Sequence, residues 1–181
     1  MSEVSRPSIL SNTAALAAAS PVALAASAAL GEPSATSDAG HPDDYKAAFA
    51  QRSASAFAAA LAENVVLEAA HLYWPVSGRE NVKRVMEAAS KIYESLQFTD
   101  QAFDGRRQYL EWKARAFGGI GMSGVTVITR DEAGAIAHLA IHHRPLDGGL
   151  RVSAELGQRL QGVIDASHFM AAEDLPRRVR S

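Results

Sequence analysis

Residues 108–143 read QYLEWKARAFGGIGMSGVTVITRDEAGAIAHLAIHH and contain three segments rich in apolar residues. Two short sequences that favour turns, Gly118-Gly119 and Asp131–Gly134, separate these segments. Consecutive strands joined by short turns pair antiparallel, so this stretch predicts a β-meander. The three predicted strands are Gln108–Phe117, Met122–Arg130 and Ala135–His143.

The residues before the meander predict helices and two further strands. Apolar residues recur at steps of three and four in Arg79–Leu96, which is the clearest predicted helix. Helices that precede a run of antiparallel strands are typical of an α+β fold. We therefore expect a curved antiparallel sheet that is wrapped by about three helices and encloses a cone. The other predicted elements are helices from Pro42 and Ser53, strands Val65–Leu72 and Leu96–Ala102, and a C-terminal helix Leu150–Leu160.

Composition divides the chain into three parts. Residues 1–42 contain twelve Ala, eight Ser and no aromatic residue, so we expect a flexible tail without the large side chains that dock on a core. Residues 43–146 carry the predicted cone domain, and residues 147–181 carry the C-terminal helix and a short basic tail. The tail resembles a secretory signal only weakly, because Arg6 is the one basic residue before its Ala-rich run. We expect a cytoplasmic protein, with export as the alternative.

The charge and the cysteine count exclude several classes of protein. The chain has 181 residues, a formal net charge of −2 and no Cys, so disulfides and thiol catalysis are excluded and nucleic acid is not an expected partner. No uninterrupted apolar run is long enough to predict a membrane span. His138 and His142 are four residues apart, which is about 13 Å on a strand and too far for one metal ion. We therefore predict no metal and no cofactor.

Strand alternation assigns side chains to the inside of the predicted cone. In the last strand Ala135, Ala137, Leu139, Ile141 and His143 share the more apolar face. His143 is thus the polar member of a predicted cavity wall. Such a His can titrate near neutral pH and act as an acid or base, or it can be a structural His that a carbonyl or a Tyr satisfies.

Three further residues are candidates for the same cavity. Trp112 lies on the apolar face of its strand, and Tyr45 lies on an apolar helix stripe. His71 shares a strand face with Leu67 and Ala69 if the strand persists that far. Tyr45 could instead be a core residue, and His71 could instead be a surface residue beside a loop.

The order and spacing of four motifs resemble the nuclear transport factor 2-like superfamily, in its SnoaL-like and ketosteroid-isomerase-like branch. The similarity covers roughly residues 45–144. It implies a cone with an apolar cavity that usually dimerises through its sheet. The motifs are Leu61-Ala-Glu-Asn-Val-Val-Leu-Glu68, Pro75-Val-Ser-Gly-Arg-Glu80, Arg130-Asp-Glu-Ala-Gly134 and His142-His-Arg-Pro-Leu146.

The resemblance also implies where catalytic groups would lie. Ketosteroid isomerases use an Asp base, with a Tyr and a protonated Asp that bind the developing oxyanion. The base position falls on Ala69, the protonated Asp falls near Thr126, and the Tyr falls on Tyr45. Without the base, steroid isomerisation is not expected. The resemblance also places His143 in the pocket wall.

Two classes of function follow from these residues. The first is acid–base catalysis on a small apolar molecule, of cyclase, dehydratase, isomerase or hydrolase type, with Tyr45, His143 and His71 as catalytic candidates. The second is a non-catalytic ligand-binding or dimerisation module. In both cases we expect a homodimer and a small apolar ligand. The predicted ligand-contacting residues are Leu67, Ala69, Trp112, Thr126, Leu139 and Ile141.

Overall fold

A computed structural model describes residues 41–175 of the chain. The predictions for the tail, for an export signal and for the basic C-terminus fall almost entirely outside the described residues. His41 and Pro42 are described, and their carbonyl oxygens accept hydrogen bonds from Arg130 and Gln108. Contacts with the domain therefore begin two residues before the predicted boundary at residue 43.

Six strands form one sheet in the order β2-β1-β6-β5-β4-β3. The meander β3 to β6 is antiparallel, as predicted. β1 pairs in parallel with β6, so the sheet is mixed rather than wholly antiparallel. The strands are β1 (Leu61–Ala69), β2 (Val76–Ser77), β3 (Tyr93–Asp104), β4 (Arg107–Ala116), β5 (Ile120–Arg130) and β6 (Ile136–Arg144).

Within residues 41–175, four α-helices pack with this curved sheet, and α3 and α4 contact its strands directly. The predicted α+β cone is confirmed: α3 packs against α2, β1 and α4, and α4 packs against β6. Apolar residues of α3 recur on one face, with Val82, Val85 and Met86 buried. The helices are α1 (Asp44–Gln51), α2 (Ala54–Ala60), α3 (Arg79–Ile92) and α4 (Leu146–Arg159), followed by 3₁₀ turns at Ala166–His168 and Ala172–Asp174.

Extra residues in three strand pairs bend the sheet. The pairing of β3 with β4 shifts register between Phe98 and Asp100, and that of β5 with β6 shifts between Thr129 and Arg130. The register of β1 with β6 shifts between Leu61 and Val66. An unpaired extra residue bends its strand and increases the local twist. These irregularities supply the curvature that a flat, regular sheet would lack.

Several predicted boundaries were wrong. β1 extends over Leu61–Ala69 rather than Val65–Leu72, so His71 lies in the turn that follows the strand. α3 ends at Ile92, and the residues that were predicted as its last turn begin β3. α4 begins at Leu146 rather than Leu150, because its two early glycines are accommodated inside the helix.

The predicted alternation in the last strand was partly wrong. β6 begins at Ile136, which is fully buried although it was assigned to the outer face. The register shift at the start of β6 places Ala137 opposite no residue of β5. Alternation then resumes, so that Leu139 and Ile141 point to the core as predicted.

Arg130 ties the start of the domain to the turn between β5 and β6. Its Nη2 and Nη1 donate to the two carboxylate oxygens of Asp44, at 2.7 and 3.1 Å. The same guanidinium donates to the carbonyl oxygens of His41 and Gly134. Both members of the ion pair are largely shielded from water. A two-pronged, shielded pair of this kind contributes far more to stability than an exposed one.

We expect Arg130→Met to lower the free energy of unfolding by roughly 2 kcal/mol or more, because the Asp44 carboxylate and two carbonyls lose a charged donor. Urea denaturation measures this. Arg106→Met is the matched control, because Arg106 makes an exposed contact of 3.7 Å with Glu132 and should change stability by less than about 0.5 kcal/mol. Equal effects of the two substitutions would contradict this role of Arg130.

Candidate functional site

One row of paired residues across the inner face of the sheet forms the base of the site. Phe98 of β3 pairs with Trp112 of β4, Trp112 pairs with Gly124 of β5, and Gly124 pairs with His143 of β6. Residues that pair directly share one face of a sheet. The register therefore brings the Trp112 and His143 rings together, with centroids 5.0 Å apart.

Gly124 makes this approach possible. A Cβ atom on Gly124 would lie 2.3 Å from Cζ2 of Trp112 and 2.1 Å from the carbonyl oxygen of His142. Neither contact can be relieved by a flexible side chain, because one partner is a ring packed in the core and the other is backbone. Any larger residue at position 124 would expel the indole from its place beside His143.

Two histidines and a tyrosine form a hydrogen-bonded chain above this row. Nδ1 of His71 lies 3.1 Å from Nδ1 of His143, and Nε2 of His143 lies 2.8 Å from the Tyr93 hydroxyl. The two imidazole rings are nearly perpendicular, with centroids 4.3 Å apart. Two facing Nδ1 atoms can bond only if one carries a proton and the other does not. The geometry therefore couples the tautomers of the two histidines.

Burial keeps the chain uncharged at neutral pH. It lowers the pKa of His71 to about 4. It also lowers the pKa of His143 well below the ordinary value, an effect that the neighbouring His71 and His142 increase. Burial raises the pKa of the Tyr93 hydroxyl, and the nearby Tyr45 raises it further. Removal from water penalises the charged form of each group, so the two imidazoles and the phenol are neutral.

A second group of polar side chains lies in the same cavity. The indole Nε1 of Trp112 donates to the Thr126 hydroxyl at 3.2 Å, and the Tyr45 hydroxyl interacts with the same Thr126 side chain. Tyr45 and Thr126 are each about 1% exposed, and burial raises the pKa of Tyr45. Tyr45 is therefore a neutral hydrogen-bonding group at neutral pH.

The Tyr93–His143–His71 chain and the group formed by Trp112, Thr126 and Tyr45 line the same small, mostly apolar cavity. Its volume is about 30 Å³, which is enough for roughly one or two water molecules. None of the residues in the described part of the chain that line it is Asp, Glu, Lys or Arg. The remaining wall is formed by Phe49, Leu67, Ala69, Leu72, Val85, Met86, Ala89, Leu96, Phe98, Ile141, Val152 and Leu156.

Most of the predicted site residues meet in this cavity. Its wall includes Tyr45, His71 and His143, and also Leu67, Ala69, Trp112, Thr126 and Ile141. Leu139 does not line the cavity: it is fully buried in the core and pairs with Ile128, two inward-facing rows away from the row that contains His143. His71 reaches the cavity although its strand ends at Ala69.

Tyr93 is the site residue that sequence reasoning missed. Its spacing from Ala89 and Leu96 fits a helix stripe, so it was assigned to the helix, which in the structure ends one residue before it, at Ile92. Alternation extended back from Leu96 and Phe98 would place Tyr93 on the opposite face. A register shift between Tyr93 and Ser95 turns Tyr93 inward, and the local sequence pattern does not indicate that shift. As the first residue of β3, Tyr93 points its hydroxyl at His143.

His138 and His142 lie outside the site. His138 faces Glu68 on the outer side of the sheet, with His138 Nε2 3.4 Å from Glu68 Oε2, and His142 is exposed. Within residues 41–175 no group of three or more His, Asp or Glu side chains is arranged to hold a metal ion. In the same part of the chain, none of the helices has the length and apolar character needed to cross a membrane.

Comparison with solved structures identifies the fold. A bacterial protein with a cystatin-like fold from Silicibacter pomeroyi superposes with a TM-score of 0.63 and 22% identity, over 67% of this chain and 87% of that one. A steroid delta-isomerase from Pseudomonas aeruginosa gives 0.60 and 25%, over 66% and 88%. A nuclear transport factor 2-like protein of unknown function from Mesorhizobium loti gives 0.51 and 16%, over 55% and 84%. The chain has the nuclear transport factor 2-like fold.

No family model and no curated protein matches the sequence of this chain. The resemblance assigns three positions to catalysis, and all three line the cavity: Ala69, Thr126 and Tyr45.

The buried histidines make the free energy of unfolding of this domain depend on pH. The unfolded chain takes up a proton at His71 near pH 6.5, whereas the folded chain does so only near pH 4. Between these values the unfolded state binds more protons, so the free energy of unfolding falls as the pH falls. The loss at pH 4 is on the order of a few kcal/mol.

Urea denaturation at several values between pH 7 and pH 4 measures this dependence. We expect His71→Gln to reduce the slope, because Gln takes up no proton. His41→Gln is the control, because the His41 side chain is 77% exposed, and this variant should keep the slope of the unsubstituted protein. If His71→Gln leaves the slope unchanged, His71 is not the source of the pH dependence.

Proposed function

We propose that the domain binds a small, neutral, mostly apolar molecule in the cavity and transfers a proton to or from it. The observation that carries this proposal is the neutral chain Tyr93–His143–His71 in an otherwise apolar wall. An apolar pocket with a few convergent polar groups is the usual form of a small-molecule site. A neutral imidazole can accept a proton at one nitrogen while it gives one up at the other, and a neutral phenol can donate its proton to an oxygen of the ligand.

The chemistry of the wall supports a neutral ligand. No cationic side chain is available among the lining residues to pair with a carboxylate or a phosphate. A charged ligand would therefore lose its hydration without gaining a partner. The hydroxyls of Tyr93 and Tyr45 instead suit a carbonyl or hydroxyl oxygen, and Trp112 and Phe98 suit an apolar ring.

The cavity holds only about one or two water molecules, so a compact organic ligand enters it only when a side chain of the wall moves. Pockets for drug-sized ligands measure roughly 300–1,000 Å³, whereas this cavity measures about 30 Å³. Met86 is the lining residue that can most readily move, because its side chain is unbranched and flexible. The likeness to a steroid delta-isomerase supports proton transfer as the reaction class. A steroid substrate is not proposed, because the cavity is small and Ala69 occupies the expected base position.

A non-catalytic ligand-binding or dimerisation module is the second candidate. Ala69 in place of a carboxylate favours it. The outer face of the sheet also favours self-association, because Tyr109, Val125 and Val127 form a partly exposed apolar strip there. A homodimer that covers this strip is part of the proposal in either case.

Cyclopentanone is a suitable probe for the first candidate, because it is neutral, compact and exchanges its α-protons slowly in D₂O. The chain has two Trp, and Trp74 is 63% exposed, so the variant Trp74→Phe leaves Trp112 as the only tryptophan. We expect cyclopentanone to shift the Trp112 emission in a saturable way and the domain to accelerate α-proton exchange, followed by NMR. Cyclopentanecarboxylate should do neither.

The two candidates give different results in this experiment. Binding together with exchange that Tyr93→Phe abolishes supports proton transfer. Tyr109→Phe is the matched control on the outer face and should preserve both. Binding without exchange supports the non-catalytic module. No binding of the ketone, or tighter binding of the carboxylate, contradicts the proposal of a neutral ligand.

A further inference from the structure

We propose that Tyr93, His143 and His71 form a two-state proton relay, and that Gly149 is the positioning residue that holds the two histidines in register. This inference rests on the proposed function, because it assigns the roles of groups within the same cavity. The relay differs from a mechanism that uses a single carboxylate base, because its acid and its base are the opposite ends of one hydrogen-bonded chain.

The distances define the two states. In one, Tyr93 donates to Nε2 of His143 and His143 donates from Nδ1 to Nδ1 of His71, so His71 carries its proton on Nε2. In the other, His71 donates from Nδ1 to Nδ1 of His143, and His143 donates from Nε2 to the Tyr93 oxygen. The Tyr93 proton is then free for a ligand, and Nε2 of His71 has a free electron pair.

The second state presents an acid and a base to the cavity at the same time. A ligand gives its α-proton to Nε2 of His71, and its carbonyl oxygen takes the proton of Tyr93. Tyr93 recovers a proton from Nε2 of His143, and His143 recovers one at Nδ1 from His71. The ketone becomes an enol and the chain arrives in the first state. The proton on Nε2 of His71 then exchanges with solvent, and the reverse steps return a solvent proton to the ligand and restore the second state.

The four proton transfers occur together, so neither an imidazolium nor a phenolate forms. This matters because an imidazolium or a phenolate in this apolar wall would be costly. The lowered pKa of His71 and His143 and the raised pKa of Tyr93 agree with a chain that stays neutral. A relay that shifts protons between neutral tautomers meets this constraint, whereas a lone histidine base does not.

Gly149 allows helix α4 to lie close to His143 and His71. A Cβ atom on Gly149 would lie 3.3 Å from Cβ of His143 and 3.5 Å from Cβ of His71. Both of these atoms are attached directly to backbone, so neither can rotate away. The first turn of α4 therefore lies close to both histidines, and a side chain at position 149 would press on Cβ of His143 and lie against Cβ of His71. Its amide end also disfavours a positive charge on either ring.

Gly148 is a matched control in the same turn of the same helix. A Cβ atom there would meet Cε, Cγ and Sδ of Met122, at 3.2 to 3.5 Å. A methionine side chain can adjust its torsions to make room. Both Gly→Ala changes have the same effect on helix propensity, so a difference between them reports contact with the histidines.

The test uses the full-length protein with ¹⁵N-labelled histidine at pH 7. In the unsubstituted protein we expect a solvent-protected imidazole N–H resonance from the proton that lies between the two Nδ1 atoms. In Gly149→Ala that resonance should be lost, and exchange of the cyclopentanone α-protons should fall by about a hundredfold. Gly148→Ala should keep the resonance and should keep the exchange rate within about twofold of the unsubstituted rate.

Tyr93→Phe provides a second variant, which leaves the packing of α4 intact. It should bias His143 towards one tautomer in the ¹⁵N spectrum and abolish exchange. The relay is overturned if the Nδ1 resonance is absent from the unsubstituted protein, or if Gly149→Ala retains both resonance and exchange. If the resonance is present and responds to Gly149→Ala but no exchange occurs, the coupled pair stands and the proposed catalytic function fails.

Discussion

A buried imidazole must find partners for both of its nitrogens, and the site depends on how two histidines meet this requirement. His143 bonds His71 through Nδ1 and Tyr93 through Nε2. Each group comes from a different element: the turn after β1, the start of β3 and the end of β6. Loss of one partner would leave a polar nitrogen unsatisfied inside an apolar wall. The polar chain therefore fixes the relative positions of three parts of the fold.

The positions of two glycines make this arrangement sterically possible. Gly124 leaves space for the Trp112 indole beside His143, and Gly149 lets α4 lie against both histidines. Both glycines occupy places where even a methyl group would be crowded. The absence of side chains at positions 124 and 149 therefore determines the shape of the cavity as much as its polar side chains do. A protein with the same fold but larger residues at these positions would have a different cavity.

The sequence predicted the order of the elements and most of the cavity wall, because both depend on local periodicity. The face of β4 that carries Leu110 and Trp112 followed directly from alternation. The parallel pairing of β1 with β6 and the position of Tyr93 depend on tertiary contacts. Tyr93 fits a helix stripe equally well, and the hydrogen bond to His143 arises only when the sheet closes.

The central claim is that the cavity holds a neutral ligand with its oxygen against the polar chain. A crystal structure of the domain soaked with cyclopentanone tests this most directly. We expect to find the carbonyl oxygen within hydrogen-bonding distance of the Tyr93 hydroxyl, the ring against Trp112, and a displaced Met86 side chain. A ketone bound only on the outer face of the sheet, with the cavity unchanged, would contradict it.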